Sequence, residues 1–211
     1  MTPRRRLAPA QRRAQLVDVA ARLFAARPYD EVRMEEIAAQ AGISRALLYR
    51  HFPAKRDVFA AVYRQAADGL LARTELDPAV PVVDQLSAGL DAHLDYFVAN
   101  RNTVLAANRT LAGDPVIQAV ISDELAVLRQ RLVDAAGLTD HARELVSAAL
   151  AGWLVFVRVL CVDWLANESF SRTELRDLCL GALLGAVGRV TDFGHPPTGL
   201  VPGQVGDAPT G

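Results

Sequence analysis

The chain has 211 residues, a net charge of −1 and 51% hydrophobic residues, enough for one large or two small domains with a sizeable core. The most apolar stretch, residues 150–165, is interrupted by Arg158 and Asp163 and is shorter than the about 20 apolar residues of a membrane span, so we expect no membrane association. Cys161 and Cys179 lie far apart in apolar segments, which indicates buried, reduced thiols in a cytoplasmic protein rather than a disulfide framework.

Charge is distributed unevenly along the chain. Residues 1–57 carry twelve basic and six acidic side chains, whereas the remainder carries eleven basic and eighteen acidic ones. A basic end on an acidic body is typical of a protein whose one end meets a polyanion, although chance clustering would give the same count. The first eight residues, 1–8, are interpreted as a basic arm, which either enters or flanks a DNA groove or is simply solvated.

The N-terminal quarter shows helical periodicity. Leu16, Ala20, Leu23 and Phe24 form one apolar stripe of a predicted helix over residues 9–27. Two short helices over 33–41 and 45–51 follow, and a fourth over 55–73. Between the short helices, Gly42 occupies a position that favours left-handed backbone, and Ser44 is a suitable N-cap for the next helix.

The rest of the chain also predicts helices, and no segment shows sustained two-residue alternation, so the expected fold class is all-α. Asp114 before Pro115 marks one helix start, and Ser171 with Glu174 forms a capping box at another. The predicted helices cover residues 81–100, 102–111, 115–136, 140–166 and 172–193. Residues 194–211 hold five glycines and four prolines and are predicted to be a disordered tail.

The third predicted helix has two distinct faces. Leu48 and Phe52 are four residues apart and should anchor the helix from behind. The outward face combines arginines, a small residue and an aromatic hydroxyl: Arg45, Ala46, Tyr49 and Arg50. Arginine can donate two hydrogen bonds to the edge of a guanine, and a tyrosine hydroxyl can reach a phosphate. This face therefore suits the major groove of double-stranded DNA.

The segment from Met34 to Lys55, MEEIAAQAGISRALLYRHFPAK, resembles the DNA-binding domain of TetR-family regulators, and the resemblance extends over about residues 12–63. It implies an N-terminal three-helix helix-turn-helix domain over 9–54 and a helical ligand-binding and dimerisation domain over 55–193. It further implies a homodimeric repressor that a small-molecule inducer releases from a palindromic operator.

The resemblance also implies roles for single residues. Ser44, Arg45, Ala46 and Arg50 would face bases or nearby phosphates. Tyr49, His51 and Lys55 would hold phosphates, the lysine at the start of the fourth helix. Two positions depart from the family pattern: Arg33 replaces a frequent threonine and could still reach a phosphate, and Ala54 replaces a side-chain cap. Packing roles for Tyr49 or His51 are the alternatives.

The last two predicted helices are the expected dimer interface. Small residues let helices approach closely, and two such helices from each subunit could form a four-helix bundle. The last helix carries a small-residue face: Gly181, Ala182, Gly185, Ala186 and Gly188. Packing of that face within the chain is the alternative.

A ligand cavity is predicted among the fifth to eighth helices. Arg158 interrupts a strongly apolar helix, so its charge needs a partner. Asp163, five residues further on, is poorly placed for an ion pair within the same helix. The partner is therefore either a ligand anion or an acid of a neighbouring helix in a structural ion pair. The other candidates are polar and aromatic side chains of the same helices: His93, Tyr96, Phe97, Asn100, Asn108, Arg109, Trp153 and Phe156.

Two other classes of function have less support in the sequence. An enzyme with a basic helical end is disfavoured, because the sequence has no phosphate-binding glycine loop, no nucleophile motif and only four scattered histidines. We therefore predict no catalytic residues, no metal and no cofactor. A scaffold on a membrane surface has only the apolar eighth helix in its favour.

Overall fold

The computed structural model describes residues 8–72, 80 and 82–191, and within these ranges every regular element is a helix. The predicted all-α fold is therefore confirmed. The predicted basic arm before Ala8 and the predicted disordered tail over 194–211 lie outside the described residues. The helices in chain order are α1 (Pro9–Ala26), α2 (Met34–Gln40), α3 (Arg45–His51), α4 (Lys55–Ala72), α5 (Val82–Ala99), α6 (Arg101–Leu105), α7 (Pro115–Ala135), α8 (Asp140–Asn167) and α9 (Arg172–Thr191).

The helix predicted over residues 102–111 needs correction. It is a short α-helix, α6, followed by a π-helical turn over Ala106–Thr110. The side-chain amide of Asn108 donates to the carbonyl of Val104 at 2.8 Å, the carbonyl that its own backbone N–H would use in an α-helix. The backbone widens instead, and the N–H of Leu111 bonds the carbonyl of Ala106 at 2.8 Å.

One hydrophobic core joins the first four helices to the start of α7. The predicted stripe of α1 is buried in it, and Phe24, Tyr29 and Phe59 form an aromatic cluster with ring centroids 5.1–5.7 Å apart. Ile117 and Ile121 of α7 belong to the same core. Because α4 packs against both α1 and α7, a shift of α4 would change its packing against both of these helices.

A second core lies among α5, α7, α8 and α9. Leu94, Phe97, Cys161 and Leu175 are among its most buried members. The capping acid of α7 is confirmed, since Asp114 accepts from the N–H groups of Val116 and Ile117. The capping box of α9 is confirmed in both directions between Ser171 and Glu174.

Helix α8 is long and apolar enough to cross a membrane by length and composition alone, and 44% of its most apolar window is buried inside the protein. A core helix passes the same test. Its thiol Cys161, and Cys179 of α9, are free and buried, as the sequence predicts. Burial raises the pKa of Cys161 to about 12 and that of Cys179 to about 11, which leaves both thiols protonated and unreactive at neutral pH.

Candidate nucleic-acid interface and ligand cavity

The turn between α2 and α3 is built as a helix C-terminus with a left-handed residue. Gly42 has φ of +65°, a conformation that costs glycine little. The N–H of Gly42 bonds the carbonyl of Ala39 at 3.1 Å, and the N–H of Ile43 bonds that of Ala38 at 3.0 Å. This pair of bonds is the Schellman motif, which ends α2 and reverses the chain.

Helix α3 presents the two faces that the sequence predicts. Leu48 and Phe52 are buried, with 0% and 1% of their surface exposed. Ser44 caps the helix by accepting from the N–H of Leu47 at 3.3 Å. On the opposite side, Arg45 keeps 66% of its side chain exposed and Tyr49 is 39% exposed, so Tyr49 is not a core residue.

The remaining predicted DNA contacts of this region differ in exposure. Ala46 and Arg50 of α3 are exposed, as is Arg33 immediately before α2, while His51 is half-buried. Arg33 occupies the N-cap position of α2 without a side-chain hydrogen bond, which agrees with the expected loss of a threonine-type cap. Its guanidinium therefore stays available at the helix start.

Arg45 is paired in the free protein. Its guanidinium lies 2.6 Å from a carboxylate oxygen of Glu35 on α2, and both side chains are exposed. An exposed pair of this kind is worth about 0–1 kcal/mol and exchanges readily. The pair holds the arginine at the outer surface without preventing a contact with DNA.

Lys55 takes a position that the sequence did not indicate. Its ammonium donates to the carbonyl of Tyr29 at 2.9 Å and lies 4.2 Å from the centre of the Tyr29 ring. A lysine has three donors, so a phosphate contact remains possible in addition. Ala54 offers no side-chain cap, but Asp57 forms the reciprocal half of a capping box by accepting from the Ala54 N–H at 2.9 Å.

A buried polar network links α4 to the C-terminal helices. Arg158 of α8 donates to Asn108 at 2.9 Å and to the hydroxyl of Tyr63 on α4, and it lies 3.5 Å from Glu124 of α7. Burial raises the pKa of Glu124, and the Arg158 charge opposes that shift. The predicted need of Arg158 for a partner on another helix is thereby met by Glu124, not by Asp163.

A cavity of about 80 Å³ opens beside this network. Three of the predicted residues line it, namely His93, Trp153 and Arg158. The other wall residues are mostly leucines of α4, α5, α7 and α8. The described wall consists of Leu70, Gln85, Leu86, Gly89, Leu90, His93, Leu125, Leu128, Arg131, Leu132, Trp153, Leu154, Val157 and Arg158.

Six other residues that the sequence predicts as ligand contacts do not line this cavity. Phe156 points outward and is 37% exposed, and Arg109 lies on the surface 3.9 Å from Asp163. Tyr96 and Asn100 line a different depression that faces α1 and α4. The last two stand behind the wall, where Phe97 packs against His93 and Asn108 holds Arg158.

Comparison with known proteins matches residues 16–62, from α1 into α4, to the family described as bacterial regulatory proteins, tetR family. The transcriptional activator FasR of Mycolicibacterium smegmatis is 34% identical over 93 residues, which cover 43% of this chain and only 42% of FasR. The transcriptional regulator RutR of Escherichia coli K12 is 28% identical over 167 residues, covering 77% of this chain and 71% of RutR.

Solved structures share the whole fold. A tetR-family regulator from Streptomyces coelicolor superposes with a TM-score of 0.76 at 23% identity, covering 89% of this chain and 85% of that one. The matched segment 16–62 contains the turn and the exposed face of α3 described above. Residues 16–62 of this chain therefore match the tetR family of bacterial regulatory proteins, and the chain shares its fold with a solved tetR-family regulator.

Proposed function

We propose that the chain is a homodimeric repressor that reads a palindromic operator with α3 and leaves it when a small molecule enters the cavity beside Arg158. The observation that carries the DNA-binding part is the outward face of α3. Arg45 and Tyr49 are exposed there while Leu48 and Phe52 fix the helix from behind. Such a helix can enter the major groove without disturbing the core.

Dimerisation is supported by an apolar outer face on the last two helices. Helices α8 and α9 pack against each other, and large apolar side chains remain exposed along both. On α8 these positions share one side of the helix, namely Leu145, Val155, Phe156 and Val159, and α9 adds Leu178 and Leu184. Burial against a second copy would remove this surface from water and place two α3 helices for adjacent half-sites.

Release by a ligand is supported by the connection of the cavity to α4. Arg158 lines the cavity and also bonds Tyr63, which lies in the half of α4 nearer the DNA-binding helices. A ligand that favours one arrangement of this network would shift α4, and with it the spacing of the two α3 helices. The size of the effect is limited by the ligand's affinity difference between the two states.

The relatives leave the sign of regulation open to test. FasR is named an activator, and a FadR of Bacillus subtilis that shares the fold was solved with stearoyl-CoA. That structure, at 18% identity and a TM-score of 0.59, supports only the statement that this fold can hold a ligand with a long acyl chain. We propose repression, because a protein seated on an operator excludes other proteins from the same DNA.

The test is a fluorescence polarisation titration with the DNA upstream of the protein's own gene. Arg45→Ala should weaken binding by about 1–3 kcal/mol, the usual contribution of an arginine that reads a base. Tyr49→Ala should also weaken it, whereas Arg129→Ala on α7 should not. Unchanged affinity for both α3 variants would show that this face does not read DNA.

A further inference from the structure

The chemistry of the cavity wall defines what it can hold. Apart from the indole N–H of Trp153, four described wall residues carry polar side-chain atoms, namely Gln85, His93, Arg131 and Arg158. The rest of the wall is aliphatic or aromatic carbon. The occupant must therefore be mostly apolar, with few polar groups to satisfy.

Most polar side chains of the wall already have partners. Gln85 donates to the carbonyl of Val80 at 2.7 Å, and Arg131 donates to the carbonyl of Leu71. The indole N–H of Trp153 donates to the carbonyl of Cys179 at 2.7 Å. Arg158 is bonded through all three of its nitrogens.

His93 differs from these residues. Its ring packs against the ring of Phe97 at a tilt of 40°, with centroids 4.0 Å apart, and its nitrogens form no hydrogen bond with any residue that the structure describes. Burial, together with the nearby Arg158 charge, lowers the pKa of His93 to about 3. The imidazole is therefore uncharged at neutral pH, with one donor and one acceptor nitrogen at the cavity wall.

The charges at the His93 end of the cavity disfavour an anionic group there. The Arg158 charge is matched by Glu124 at 3.5 Å, so the end of the cavity near His93 has no uncompensated cation. A carboxylate placed there would lose its hydration without gaining an ionic partner, which is costly in an apolar wall. A neutral hydroxyl or carbonyl needs only the hydrogen bond that His93 can offer.

The length of the cavity follows from α5. Gln85 and His93 both line it and are eight residues apart, which spans about 12 Å along a helix axis. Taking the proposed function's assignment of this cavity as the ligand site, we propose that it binds an elongated, uncharged, apolar molecule with one hydroxyl or carbonyl group at the His93 end.

The test uses four probes of equal chain length: octan-1-ol, octan-2-one, octanoate and octane. In a Trp164→Phe background the fluorescence comes from Trp153, which lines the cavity. The alcohol and the ketone should bind about fivefold or more tightly than octane, the contribution of one hydrogen bond. Octanoate should bind about tenfold or more weakly than the alcohol.

Substitution of His93 separates hydrogen bonding from packing. His93→Leu should weaken the alcohol and the ketone about fivefold and leave octane within about twofold. His93→Gln, which keeps a donor and an acceptor, should retain the preference, and His141→Leu on the exposed start of α8 is the matched control. Circular dichroism melts verify that each variant is folded.

Three results would overturn the proposal: tightest binding of octanoate, equal weakening of octane and octanol by His93→Leu, or no binding of any probe. The same samples are titrated with the DNA used above. Selective probe binding without DNA binding would keep this inference and reject the proposed function. DNA binding without probe binding would reject this inference and keep the proposed DNA-binding function.

Discussion

At the scale of single residues, the ion pair of Arg45 with Glu35 should limit the contribution of the arginine to DNA affinity. The carboxylate neutralises Arg45 at 2.6 Å and would itself repel phosphates. Glu35→Gln should therefore tighten binding to the upstream DNA by up to about fivefold, the worth of one exposed ion pair. Glu31→Gln, which also removes an exposed acid of this region, is the control in a polarisation titration at one fixed salt concentration. Equal or weaker binding by Glu35→Gln would show that the pair does not restrain Arg45.

His93 gives the folded protein a defined response to acid. Its pKa is lowered to about 3, so between that value and its ordinary value near 6.5 only the unfolded chain takes up this proton. The stability that the site contributes is present above pH 6.5 and is lost as the pH falls. Going from pH 7 to pH 5 should cost the wild type about 2 kcal/mol more than His93→Leu in urea unfolding. His141→Leu should behave as the wild type, and parallel pH profiles for wild type and His93→Leu would contradict the assignment.

Residue faces were predictable where the local pattern decides them. The inward position of Leu48 and the outward position of Tyr49 follow from helical spacing alone. That Arg158 needs a partner also follows from its apolar surroundings. The partner, Glu124, lies 34 residues earlier in the chain, and nothing in the sequence between them specifies that contact.

At the scale of elements, helix ends were predictable because caps are local. Gly42, Ser44 and Asp114 act as the sequence indicates, and the observed helix bounds follow. The π-helical turn after α6 was not predictable, because it depends on Asn108 being held by Arg158 from another helix. The bond from the Ala54 N–H to the Asp57 carboxylate is local, and the spacing of three residues could have signalled it.

Helix α4 is tied to α8 through one hydroxyl. Tyr63→Phe removes the acceptor of Arg158 and leaves a buried guanidinium N–H without it. Stability in urea unfolding should fall by about 1–3 kcal/mol, the cost of an unsatisfied buried donor. Any effect of a cavity probe on DNA affinity should also become smaller, since the link from cavity to α4 is cut.

Tyr29→Phe is the matched control for that substitution. Tyr29 packs in the same aromatic cluster, and its hydroxyl has no hydrogen bond with the residues described here. It should therefore change stability by much less than Tyr63→Phe. Equal losses for the two variants would mean that the Tyr63 hydroxyl contributes nothing specific.

At the scale of the whole molecule, the exposed apolar face of α8 and α9 predicts the oligomeric state. Val159 is 61% exposed at the middle of that face. Val159→Glu places a charge where the second copy would pack and should convert the dimer to a monomer in sedimentation velocity at micromolar concentration. Val98→Glu on α5, at a site 52% exposed, should leave the dimer intact. A monomeric wild type, or a dimer that tolerates Val159→Glu, would contradict the proposed interface.

The cavity was the least predictable part of the molecule. Its wall comes from four helices, and the sequence placed three of its residues correctly, His93, Trp153 and Arg158. The pattern within one helix separates buried from exposed positions but does not reveal which buried positions face a void. Phe156 illustrates this, since it lies on the same helix as Trp153 and points to the outer face instead.

The central claim is that two copies of α3 read one DNA site, and the mass of the protein–DNA complex tests it most directly. In sedimentation equilibrium, a fluorescein-labelled duplex of the upstream DNA should gain the mass of two chains of 22.8 kDa each. The Arg45→Ala and Tyr49→Ala double variant should leave the duplex unbound at the same concentration. One chain per duplex, or an unchanged complex with the double variant, would contradict the account.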